Sequence, residues 1–179
     1  MERSLLHRPI PPGWRAEWAA GLASPLETGE NRQTKLFVFR LGNEWFGVDP
    51  GTVSEAARVV PVRSLPHHDP AVVAGLVSLR GRILALLKLA EFLQVSRRET
   101  DPALQRLLVF RHDEWRFGAL ADEVAGSLCF PAAQVLSLPV THGRGETAFA
   151  HGLFARPGRS IIWLNTGRLF PALRARLAR

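Results

Sequence analysis

The chain has 179 residues, 46% of them hydrophobic, which suits one domain or two small subdomains around a sizeable core. Lys and Arg number 23 against 16 Asp and Glu, and the resulting charge of +7 would attract nucleic acid or acidic lipid, but it is scattered and interrupted by carboxylates and is suggestive only. The one cysteine, Cys129, excludes an internal disulfide and a cysteine-cluster metal site, and no stretch reaches the roughly 20 apolar residues of a membrane span, so a soluble cytoplasmic protein is expected.

Residues 1–34 differ in pattern from the remainder of the chain. Pro9 to Gly13 predicts extended chain. Trp14, Trp18 and Leu22 then recur every four residues, a narrow apolar stripe on a short helix that Ser24-Pro25 would end, and Thr28 to Thr34 reads as a polar linker. A helix of about 10 residues is unstable alone in water, so this stripe docks either on its own domain or on a partner. Charges and prolines before Trp14 occupy the place where a signal peptide needs a continuous apolar run, so no export is expected.

From Lys35 the pattern becomes short strands. Leu36 to Leu41 and Trp45 to Val48, joined at Gly42-Asn43-Glu44, predict a hairpin. A short helical segment is expected at Thr52 to Arg58 and a strand at Val59 to Val62. The stretch Gly75 to Leu89 sets Arg80 between two apolar runs, with Gly81 directly after it. Ile83 to Leu87 is too short to span a membrane and too apolar for a surface helix, so it predicts a buried strand with Arg80 at the mouth of a core.

This plan occurs twice. An offset of 71 carries Leu36 to Arg40 onto Leu107 to Arg111, Phe46-Gly47 onto Phe117-Gly118, and Val53 onto Val124. Further on, Leu65-Pro66 corresponds to Leu138-Pro139, Gly75-Leu76 to Gly152-Leu153, and Gly81-Arg82 to Gly158-Arg159 ahead of Ile161 to Leu164. Two units of about five short strands are implied, and all-β units of that size close into small barrels that protect their edges. The charged stretch Ser96 to Pro102 joins them. Arg80 corresponds to Pro157 and Glu55 to Gly126, so an Arg80–Glu55 pair belongs to the first unit alone. Near Pro171 an amphipathic helix should begin, with Leu173 and Leu177 on one face.

Catalytic patterns are thin. His67-His68-Asp69 lacks a distant third ligand and reads as a solvated loop, with no metal site expected. Cys129 lies in the apolar run Ser127 to Phe130 and reads as a small buried hydrophobe. His142 to Glu146 lacks phosphate-loop spacing, and there is no Gly-x-Ser-x-Gly elbow. A small basic barrel binding nucleic acid is the competing class, but Phe37, Phe39, Phe46, Phe110 and Phe117 fall in hairpin cores by pattern rather than on an exposed basic face.

From Lys35 to Phe170 the chain resembles the CheW family of chemotaxis coupling proteins. Leu36 to Asp49 is similar to the family's first hairpin, Gly75 to Gly81 to its Gly-x-x-Asn-Leu-Arg-Gly signature with Ser78 in the Asn place, Asp122-Glu123-Val124 to its Asp-x-Val element, and Gly152 to Leu169 to its closing strands. The resemblance implies an all-β protein of two SH3-like five-stranded barrels with short helices. Barrel one would comprise about 35–95 plus 155–179, with Ile161 to Leu164 returning to complete it, and barrel two about 96–154.

It also implies an adaptor with no catalysis and no cofactor. Its partners would be a chemoreceptor's cytoplasmic tip and the regulatory domain of a CheA-type histidine kinase, at membrane-associated receptor arrays and without nucleic acid. By the same similarity Val53, Glu55 and Arg80 fall in the receptor-facing groove. Lys88 replaces the family's usual Asp, and Ala56-Ala57 replace bulkier residues beside Glu55. The N-terminal extension, Val124-Ala125-Gly126 and His151 to Phe154 look more like the type IV pilus (twitching-motility, PilI-like) branch than the flagellar one.

Overall fold

A computed structural model of the chain describes residues 33–66, 71–96, 98–137, 148–156 and 158–177. The Trp14, Trp18 and Leu22 stripe, the His67 to Asp69 cluster and the His142 to Glu146 loop lie outside them.

The predicted first hairpin is present as β1 (Gln33–Leu41) and β2 (Glu44–Val48), and its counterpart as β7 (Arg106–His112) and β8 (Trp115–Ala121). Each hairpin leads into four more strands. After the first they are β3 (Val53–Arg58), β4 (Val62–Arg63), β5 (Val73–Leu79) and β6 (Arg82–Leu87). After the second they are β9 (Glu123–Pro131), β10 (Val135–Leu136), β11 (Ala150–Arg156) and β12 (Arg159–Leu164). Two helices complete the described chain: α1 (Leu89–Phe92), which the sequence pattern does not predict, and α2 (Thr166–Leu177).

The strands form two six-stranded sheets, a first in the order β10-β11-β12-β2-β1-β9 and a second in the order β3-β7-β8-β6-β5-β4. Substituting each strand by its repeat partner turns one order into the other, so the duplication read from sequence is the symmetry of the fold. Even the irregularities repeat. A register shift between Val53 and Glu55 in β3 answers one opposite Gly126 and Val124 in β9, and shifts at Val73/Gly75 and Ala150/Gly152 also correspond. Gly75 has a φ of +146°, and a side chain there would strike the carbonyl oxygen of Arg63 on the neighbouring strand β4.

The hairpins are exchanged. β1–β2 lies between β9 and β12, and β7–β8 lies between β3 and β6. The second sheet is therefore drawn from 53–87 and 106–121, and the first from 33–48 and 123–164. This corrects the grouping of 35–95 plus 155–179 against 96–154, and each sheet carries six strands rather than five. Ile161 to Leu164 does return to the first hairpin, pairing parallel to β2. Similar hairpins offer similar pairing edges, so local pattern alone does not decide which one each unit takes.

One ring contact shows how strongly the sheets curve. Phe130 on β9 and Phe154 on β11 stand 4.6 Å apart between ring centroids, although β1, β2 and β12 separate their strands. In a flat sheet four strand spacings would hold them roughly 19 Å apart. The first sheet curls around Leu36, Val38, Phe130, Phe154 and Ile161, and the second around Val77, Leu84, Leu86, Leu107 and Val109. On the other face of both sheets lies a shared core containing Phe39, Phe46, Phe110, Phe117, Leu169 and Phe170. Strands buried on both faces have no polar side to show, which is why β1 and β7 read as unbroken apolar runs.

Several local expectations change. Thr52 to Arg58 is not helical: Asp49 accepts from the Gly51 amide at 2.7 Å in a short turn at Pro50–Thr52, and Val53–Arg58 is a strand, whose backbone groups find partners on β7 that a short surface helix would lack. Pro61 has no amide to give a ladder, and the strand expected from Val59 shrinks to Val62–Arg63. Gln33 and Thr34 belong to β1 rather than to a linker, paired with Pro131 and Phe130. Ile83 lies in a strand as expected but is 73% exposed, because it sits near the end of β6 beyond the core. Cys129 is exposed, since β9 is an edge strand whose neighbouring Phe130 takes the inward position. The final helix starts before Pro171, with Asn165 accepting from the Arg168 amide at 3.1 Å; the proline removes only the bond to the Gly167 carbonyl.

Where the chain crosses from the second sheet back to the first, Asp122 and Glu123 fasten it. Asp122 accepts from the Gly42 amide at 2.6 Å, and Glu123 accepts from Arg40 Nε at 3.2 Å. Arg40, nearly buried, also donates to the Gly42 carbonyl at 2.7 Å. The Asp-x-Val element thus marks a topological crossing.

Candidate functional site

At one end of the second sheet, β3, the β5–β6 turn and the start of β8 enclose a shallow groove of about 330 Å³. Its lining is Ser54, Glu55, Arg80, Arg82 and Arg116 over an apolar floor of Leu79, Leu84 and Val109. Each element has a local reason for its position. The register shift in β3 leaves Ser54 donating to the Val109 carbonyl at 3.1 Å and turns Glu55 toward the β5–β6 turn. That turn has two residues, Arg80 and Gly81, with φ of +48° and +77°. Two consecutive positive φ values define the primed turn that suits the twist of a two-residue hairpin.

Arg80 Nε meets Glu55 Oε1 at 3.0 Å, the pair expected from the repeat comparison. The Arg80 side chain is 81% exposed and the Glu55 side chain 26%. An arginine in a left-handed turn is unusual, since asparagine or glycine is favoured there. The backbone costs about 1–2 kcal/mol relative to a relaxed residue, and an ion pair this exposed contributes at most about 1 kcal/mol. Stability does not explain Arg80. Arg80→Gly is accordingly expected to leave the denaturant midpoint unchanged or slightly raised, and a loss above about 2 kcal/mol would show the arginine to be structural.

Val53 stands apart. It pairs with Phe110 across β3 and β7 and packs, partly buried, on the shared core, so the structure brings Glu55 and Arg80 together without it. Sequence reasoning missed Arg82, Arg116 and Ser54. Arg82 is legible as the residue after Gly81, but Arg116 is brought to the groove only by the parallel pairing of β6 with β8.

Two further hollows occur among the described residues. One, about 360 Å³, lies beside α1 and includes Leu41, Gly42, Lys88, Ser96 and Asp122. The other, about 380 Å³, lies at the equivalent end of the first sheet, between Arg40, Trp45, Glu123 and the segment from Arg98 to Leu104. Among the described residues no cluster of three metal-ligating side chains occurs, and no helix is long and apolar enough to cross a membrane. Exposed Val59, Val62 and Ile83 border the second sheet's β4 and β6. An ion pair over a shallow apolar floor can hold another protein surface.

The profile of the CheW-like domain matches residues 35–174. The chemotaxis protein CheW of Rhizobium meliloti is 27% identical over 143 residues, spanning 79% of this chain and 90% of that protein. That of Thermotoga maritima is 30% identical over 117 residues, 65% of this chain and 72% of the relative. Among solved structures, the scaffolding protein TtCheW from Thermoanaerobacter tengcongensis superposes with a TM-score of 0.64 at 21% identity, covering 76% of this chain and 87% of that one.

Proposed function

Because the chain belongs to the CheW-like family, and is a chemotaxis adaptor by that membership, we propose that it couples the cytoplasmic tip of a chemoreceptor to a CheA-type histidine kinase without catalysing a reaction. The observation that carries this reading is the groove of Glu55 and Arg80, where a strained, exposed arginine is held in one repeat and replaced by Pro157 in the other. Strained backbone persists where function requires it. The receptor would lie against Glu55 and Arg80. The exposed aliphatics Val59, Val62 and Ile83 offer apolar area for the kinase's regulatory domain, and Trp14, Trp18 and Leu22 belong to the proposal as a further docking stripe.

Calorimetric titration with the regulatory domain of a CheA-type kinase from the same genome should give saturable one-to-one binding. It should survive high salt, because an interface led by apolar contact depends little on counterion release. No heat at any salt would remove the kinase from the proposal.

A further inference from the structure

The two ends of the duplicated fold are not furnished alike. At the end of the first sheet Arg159 stacks over Trp45, with its guanidinium carbon 4.6 Å from the ring centroid, and Arg40 is paired with Glu123. The segment between the repeats, carrying Arg98, Glu99 and Asp101, lines the same hollow as Arg40 and Trp45. There the carboxylates of Glu99, Asp101 and Glu123 offset the guanidiniums of Arg40 and Arg98.

At the equivalent end of the second sheet, Arg116 stands where the first has Trp45, so Arg82, the counterpart of Arg159, has no aromatic ring at that position to stack on. Three guanidiniums, from Arg80, Arg82 and Arg116, share the groove with the single carboxylate of Glu55, and only Arg80 is paired with it. Arg116 also stands directly opposite Arg111 across the β7–β8 ladder, a like-charge arrangement that opposes sheet formation. No second carboxylate lines the groove among the described residues.

We infer that this groove is built to take an acidic protein segment from its partner, presenting at least two carboxylates to Arg82 and Arg116 while Arg80 stays anchored to Glu55. The inference rests on the adaptor reading and adds the chemistry of the surface to be recognised. Guanidiniums favour carboxylates through paired, planar hydrogen bonds. Nucleic acid fits poorly, since Glu55 would face phosphate and the groove holds no aromatic side chain for a base to stack on.

The test uses the full-length protein, a purified cytoplasmic fragment of a chemoreceptor from the same genome, and separately the kinase regulatory domain. Arg82→Glu/Arg116→Glu should bind the receptor fragment at least about tenfold more weakly than wild type, with a shallower salt dependence. Kinase-domain affinity should stay unchanged. Arg82→Gln/Arg116→Gln, which carries no new charge, should lie between the two and melt at the wild-type temperature. Receptor binding that tolerates both variants overturns the inference while leaving the adaptor reading intact. Failure of wild type to bind either protein overturns both. Wild-type binding of a DNA duplex at moderate salt that the double variant loses would replace the acidic segment with nucleic acid.

Discussion

Cut between Arg97 and Arg98, the chain should yield two halves, 1–97 and 98–179, neither of which folds alone and which together restore a stable protein. Each half carries a hairpin that lies in the sheet built mainly by the other: β7–β8 fills the space between β3 and β6, and β1–β2 the space between β9 and β12. Without its guest hairpin the second sheet loses both ladders to β3 and β6, leaving backbone groups unpaired along two edges. The shared core would be lost as well, since it draws on Phe39 and Phe46 from one half and Phe110, Phe117 and Phe170 from the other. Circular dichroism and amide dispersion of the separate and mixed halves read the result directly. A half that folds cooperatively by itself would mean that it can close on its own hairpin, and that the exchange is dispensable.

Phe110→Ala should cost about 3–5 kcal/mol, the upper range for removing a buried aromatic side chain and a large share of a small domain's stability. Phe110 is 1% exposed and belongs to the shared core. Its ring lies 5.9 Å from Phe39 of the first sheet, 5.3 Å from Phe117 on its own hairpin and 5.7 Å from Phe170 of α2. Removing it opens a void where the two sheets and the final helix meet. Phe39→Leu, by contrast, retains much of the volume and should cost less. Chemical denaturation of the two variants gives the comparison, and equal midpoints would show that the aromatic cluster is not what joins the sheets.

The duplication is the most legible feature of the sequence because it survives as residues at fixed offsets: Leu36 to Arg40 and Leu107 to Arg111 occupy equivalent strands, and Phe46 and Phe117 equivalent core positions. The ion pair of Glu55 and Arg80 is legible for a similar reason, since neither charge is retained in the second copy. The hairpin exchange is not, because pairing partners with near-identical patterns leave no trace in either sequence. Ile83 and Cys129 mislead because an apolar run does not disclose which of its residues lies beyond the end of a core or on an edge. Val124 and Val53 correspond in sequence and both pack on the shared core, so Val53 does not line the groove, a distinction of strand face that one register shift decides.

Co-sedimentation with receptor-containing membranes tests the adaptor role most directly. With receptor membranes and a CheA-type kinase from the same genome, kinase should appear in the pellet in proportion to the added protein, and Arg82→Glu/Arg116→Glu should reduce that recruitment while still binding soluble kinase. Kinase that pellets equally without the protein, or that stays in solution at saturating protein, would contradict the account.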